Sequence, residues 1–238
     1  GSDPALDPFL RSEMARLNVS LAQFFANAVN TTNKGIDVVV EYNKRMNKGA
    51  LKVLLTGNIQ HMDIDNINVP PKLSGTQDLR ATFLTEREQR FILASAPNSK
   101  FGLNFEHSIR KLTIGARLTY FGKVTILGYG DGTASDFNPP FDRGDLYAFV
   151  PADDDSRPVK DEFIYGGKVT TDLYVSCKIT NNIIFFWGID NIFNVHPDLG
   201  INPEARGWAF NNETGGPWDA VQMGGNGRRI FARLAFNF

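Results

Sequence analysis

The chain is short of the residues that most chemistry needs. Its 238 residues include one cysteine and three histidines, and its 25 lysines and arginines nearly cancel 26 aspartates and glutamates. A single cysteine excludes an internal disulfide, and Cys177 has no CxxC or Cys/His neighbours that would make a zinc site. It reads as a small buried hydrophobe. The balanced charge gives no electrostatic case for nucleic acid. His61, His107 and His196 are scattered without HExxH spacing, and no serine sits in a GxSxG elbow. The glycines of "GYGDG" (128–132) lead into more loop instead of a helix, so they form no phosphate cradle. These absences point away from an enzyme, and no pattern asks for a cofactor or a metal.

Long apolar runs are missing as well. No stretch of about 18 uninterrupted apolar residues exists, which excludes a membrane-spanning helix. The opening "GSDPALDPFLRSEMARLN" has charges and prolines where a signal peptide carries its apolar centre. Neither absence excludes a β-barrel, whose strands alternate and give a weak hydropathy signal.

What is abundant is phenylalanine (19) and glycine (22), a bias toward strands and turns. Seven segments alternate with period two. Their apolar sets are Ile36, Val38, Val40, Tyr42; Leu51, Val53, Leu55, Ile59; Phe101, Leu103, Phe105; Leu112, Ile114, Ala116, Leu118, Tyr120; Val169, Leu173, Val175, Cys177, Ile179; Ile183, Phe185, Trp187, Ile189; and Ile230, Ala232, Leu234, Phe236, Phe238. Each segment runs about nine to eleven residues, the length a tilted strand needs to cross a bilayer. Connections alternate between short (44–49, 109–111, 180–182) and long (64–99, 130–166, 196–226). Loops that long are uncommon in compact domains. A membrane barrel has this asymmetry, with tight turns on the periplasmic side and long loops outside. The expected fold is all-β: an antiparallel transmembrane barrel with long extracellular loops, the whole of 1–238 being one part of it. Single-chain bacterial barrels have an even strand number, and seven strands alone would leave open edges in lipid, so the seven belong to a larger barrel.

Charges on the second face of these strands must point away from lipid, because each costs roughly 2–4 kcal/mol at the bilayer midplane. Asp37, Glu41, Lys52, Glu106, Arg117, Asp172, Arg229 and Arg233, with Lys168 and Lys178, are therefore assigned to a lumen, where their mixed signs suit docking of a folded plug. In the long loops, the aromatics Phe137, Phe141, Tyr147, Trp208 and Trp218 are the candidate ligand-catching residues. Asp131, Asp136, Asp142, Asp145 and Asp153 to Asp155 offer hard oxygen ligands, but at no EF-hand spacing. Thr85 and Glu88 have the spacing of a capping box, which places a short helix within 77–94.

Three segments together carry a family likeness. "AQFFANAVNTTNKGIDVVVEY" (22–42), "WGIDNIFNVHPD" (187–198) and "PWDAVQMGGNGRRIFARLAFNF" (217–238) resemble the C-terminal barrel strands of TonB-dependent outer-membrane receptors. The resemblance implies a 22-stranded barrel of which this chain supplies about the last seven strands. It also implies residence in the bacterial outer membrane and import of a scarce nutrient such as an iron–siderophore complex. The implied partners are membrane lipid, the nutrient, a plug domain and TonB, both reached through a preceding part of the receptor. Phe236 and Phe238 resemble the terminal signal read by the barrel assembly machinery. Two other readings stay open: a soluble β-rich domain that binds a ligand such as carbohydrate, and a small complete outer-membrane barrel with 20–29 as its eighth strand.

Overall fold

The computed structural model describes residues 12, 15–16, 27–71, 74–75, 83–94, 96–128, 149–154, 157–206 and 222–236. Among these the chain is mostly antiparallel β-sheet with one short helix. Eleven strands and the helix follow in order: β1 (Val29–Met46), β2 (Gly49–Ile67), α1 (Glu86–Leu93), β3 (Ser99–Ile109), β4 (Leu112–Phe121), β5 (Val124–Leu127), β6 (Phe149–Pro151), β7 (Pro158–Lys160), β8 (Glu162–Tyr165), β9 (Lys168–Lys178), β10 (Ile183–Asp190) and β11 (Arg229–Phe236).

The seven alternating segments become one sheet of order β1-β2-β3-β4-β9-β10-β11, each strand antiparallel to the next. The described sheet is open, with β1 and β11 as its edges, and no closed barrel is formed. Two of the short connections are tighter than expected, and the third, 179–182, is one residue longer. Strands β1 and β2 are separated only by Asn47 and Lys48, and β3 and β4 only by Arg110 and Lys111. Arg110 takes φ 52°, the left-handed conformation usually left to glycine or asparagine.

Register sorts the side chains. Tyr42, Val53, Phe105, Ala116, Leu173, Ile189 and Ile230 are successive partners across all seven strands, forming one apolar row. The next row toward the tight turns contains Leu51, His107, Ile114, Val175, Trp187 and Ala232. His107 is a polar interruption there that the alternation does not announce. These apolar side chains stay uncovered: Ile36 is 67% exposed, Ile114 48% and Ile230 64%.

The first hairpin departs from the expected length. β1 and β2 have 18 and 19 residues where about ten were expected, because their ladder continues beyond Ile59, the last residue that β3 accompanies. Residues 60–67 of β2 extend about 27 Å past that point at the usual strand rise. Thr32 donates to Asp65 (2.6 Å) and Asn33 to Gln60 (3.2 Å), so polar groups hold this part, and its apolar alternation is reduced to Met62 and Ile64 on β2.

Buried hydrophobic side chains gather elsewhere. Ala94, Val124, Ile126, Phe163 and Tyr165 form one cluster with Phe91 of α1 against it, and Val150, Ala152, Val159 and Ala205 form a second. Both are built from the long connections, through the two-stranded pairs β5–β8 and β6–β7. The helix begins as expected. The Thr85 hydroxyl accepts from the Glu88 amide (3.2 Å), and Glu88 accepts in return from the Thr85 amide (2.7 Å), a complete capping box.

Candidate functional site

The face opposite the apolar rows carries the polar groups. Asp37, Glu41, Lys52, Glu106, Arg117, Asp172, Arg229 and Arg233 all occupy register positions on that one face. The structure brings them into several different settings. Lys52 pairs with Glu41 (3.1 Å), and Asn58 donates to Asp37 (2.7 Å). Arg117 and Asp172 are direct cross-strand partners. They border a groove of about 620 Å³ with Asp37, Lys100 and Thr119, floored by Gly102. Arg229 grips Asp190 through both Nε (2.9 Å) and Nη2 (2.6 Å) at the end of the sheet.

An aromatic row crosses the same face, and sequence reading missed it. Lys52, Glu106, Gly115, Tyr174, Gly188 and Phe231 are successive partners from β2 to β11. Tyr174 stacks on Phe186 (centroids 5.8 Å apart) and Phe186 on Phe231 (5.7 Å), within the distances that favour offset stacking. The Tyr174 hydroxyl donates to Glu106 (3.0 Å). Arg233 lies over the Phe186 ring and Arg229 over the Phe231 ring, each at 5.4 Å, within cation–π reach. The two glycines make room: a Cβ on Gly115 would stand 1.9 Å from Tyr174 Cζ, and one on Gly188 2.7 Å from Phe231 Cζ. The missed signal was the coincidence of Gly115 and Gly188 with Tyr174, Phe186 and Phe231 on the face opposite the apolar rows of neighbouring strands.

The motif "DNIFN" (190–194) forms the exit from β10. Asn191 takes φ 50° and Asn194 φ 55°, conformations asparagine tolerates. The Asn191 side chain closes a ring with Val195, accepting from its amide (2.9 Å) and donating to its carbonyl (2.8 Å). The Asn191 amide donates to Asp172 (2.8 Å), so Asp172 serves the rim as well as facing Arg117. The Asn194 side chain accepts from the Arg228 amide (2.9 Å) just before β11.

At that end the long connections are fastened together. Gln222 donates to the carbonyls of Gly122 (2.6 Å) and Gly166 (2.7 Å), so one side chain ties its own connection to both ends of the segment 122–167. Lys160 pairs with Glu86, and Arg157 with Glu204. Asp198 takes the Lys168 ammonium and the Gly166 amide (2.8 Å). The Lys168 hydrogen bond, with help from that amide and the lysine charge, holds the Asp198 carboxyl below its usual pKa, against a smaller opposing effect of burial. Beside α1 a cleft of about 180 Å³ is lined by His61, Arg90, Asn98 and Lys123.

The ligand-catching candidates Phe137, Phe141, Tyr147, Trp208 and Trp218 lie outside the described residues, as do Phe238 of the assembly signal, Asp131 to Asp145 of the acidic loop, and 20–26 of the proposed eighth strand. Phe236 is described, on the exposed apolar face beside Ile183. Among the described residues no group of histidine, cysteine and acidic side chains is placed to hold a metal ion, and no helix is long and apolar enough to cross a membrane. Comparison of the chain with family models, curated proteins and solved structures finds no match in any of the three.

Proposed function

We propose that the chain is a wall segment of a TonB-dependent outer-membrane receptor, which captures a scarce nutrient such as an iron chelate and imports it with energy delivered through TonB. The reading rests on the three family-like segments, and one observation carries its membrane part. Apolar side chains line one face of all seven strands uncovered, while the buried hydrophobic side chains of the described residues lie outside those strands. Monomeric soluble proteins rarely expose contiguous apolar patches beyond about 300–600 Å². Lipid is the solvent that suits such a face. The two open edges then need further strands, because an unpaired ladder in hydrocarbon leaves backbone groups unsatisfied.

On this reading the polar face looks into the lumen. The groove at Arg117 and Asp172 is a seat for a plug, and the fastened connections form the extracellular mouth. No covalent chemistry is involved. The test is recovery of the native protein from outer membranes. Extraction that requires detergent, with a gel shift between unboiled and boiled samples, is the expected result. A native species soluble without detergent would overturn the proposal and leave a soluble β-rich binding domain. The transport half is tested by uptake of iron chelates in cells with and without TonB.

A further inference from the structure

The tight-turn end of the sheet is strongly basic. Lys44, Arg45, Lys48, Arg110, Lys111 and Lys178 cluster in or beside the three short connections, and no aspartate or glutamate occurs in 44–51, 107–113 or 176–184. At the other end cations and carboxylates intermingle and pair, as in Lys160–Glu86, Arg157–Glu204 and Lys168–Asp198. Among the described residues none of the six turn-end cations is in an ion pair.

Two further features hold this charge together instead of letting it disperse. The Arg110 amide donates to the Lys48 carbonyl (3.2 Å), and the Lys178 amide to the Lys111 carbonyl (2.9 Å), so the three connections are hydrogen-bonded side by side. Arg110 also occupies a left-handed position where asparagine or glycine is easier to accommodate. A cation is thus present at a site that backbone preference does not favour, beside others that repel it. The apolar rows begin at once next to these turns, with Leu51 and Ile114 only a few residues from Lys48 and Lys111.

We infer that this rim binds the phosphates of an anionic phospholipid leaflet, the tight turns docking on headgroups where the apolar face enters the hydrocarbon. The inference rests on the membrane reading above. Fixed cations next to a buried apolar band meet lipid phosphates at the depth where headgroups lie, and the attraction falls off within a Debye length.

The test reconstitutes the full protein into phosphatidylcholine vesicles with and without phosphatidylglycerol. Phosphatidylglycerol retained on the released protein is then counted by native mass spectrometry. The wild-type protein should retain it, and raised ionic strength should suppress the retention. The triple variant Lys48→Gln/Arg110→Asn/Lys111→Gln should retain on the order of tenfold less. Asparagine suits the Arg110 backbone, and unchanged heat-shifted migration in pure phosphatidylcholine would show that the variant still folds. The control Lys34→Gln/Lys123→Gln, at the other end, should retain as much as wild type. Equal retention by wild type and triple variant, or equal loss in the control, would overturn the inference and leave the barrel reading standing. Failure of every form to give a heat-shifted species in either lipid would overturn both.

Discussion

The sheet and the fastened long connections handle apolar side chains in opposite ways. In the connections Ile126, Phe163 and Tyr165 are almost wholly buried among one another, as in any water-surrounded domain. In the sheet Ile36, Ile114 and Ile230 stand uncovered on a face that continues over seven strands. On the proposed reading, one chain thus carries two solvent assignments. The lesson is that a hydrophobic residue has no fixed place; its neighbours decide whether it hides from water or faces a second apolar medium.

The sharpest way to break this comparison is to hollow the buried cluster. Phe163→Ala should cost about 3–5 kcal/mol locally. Hydrogen exchange and proteolysis should accelerate in β5 and β8, while heat-shifted migration of the sheet persists. Loss of both together would mean that the two regions form one cooperative unit.

Next in size is a charge on the uncovered face. Leu118→Lys, well away from the tight turns, should cost about 2–4 kcal/mol in a lipid-based folding titration, whereas Thr119→Lys, one residue away on the polar face, should cost far less. Equal effects would erase the distinction between the faces. Gly115→Ala comes third, at about 1–3 kcal/mol, since its Cβ displaces the Tyr174 ring from Phe186. Tyrosine fluorescence and thermal stability should change together in that variant.

The smallest effect is one of pH. Asp198 is held below its usual pKa, so its contact with Lys168 and Gly166 contributes fully above the unfolded value near 3.8. That contribution disappears as pH falls through the lower folded value. Amide exchange at Gly166 should therefore speed up as the solution is acidified into that window. Asp198→Asn should make the rate insensitive to pH there once intrinsic exchange is subtracted.

The seven strands were legible because each has one apolar and one polar face, which writes a period of two into the sequence. The helix was legible from Thr85 and Glu88 alone, because a capping box is local chemistry. The upper half of the first hairpin was not, since residues 30–34 of β1 are all polar and Met62 and Ile64 of β2 are too few to mark a strand. The four short strands of the connections are too brief for alternation to emerge, and their cores form only when distant segments meet. At the candidate site, parity placed Asp37, Glu41 and Arg117 on one face, opposite the apolar rows. It said nothing of which partners they take, because Asp172 answers to Asn191, nineteen residues on, and Arg229 to Asp190 across a long loop. The Tyr174–Phe186–Phe231 row needs three strands in register before it exists.

The alternation of short and long connections also has a consequence in time. β1–β2, β3–β4 and β9–β10 are joined by only a few residues, so each pair can zip on the microsecond scale of an isolated hairpin. Joining β4 to β9 must first close the segment 122–167, roughly twenty times longer than a two-residue turn and entropically costlier by about 3 kcal/mol. β11 must likewise return across 191–228 to find β10. Assembly therefore proceeds from ready-made pairs that wait for one another, and the slow steps are the joints between hairpins.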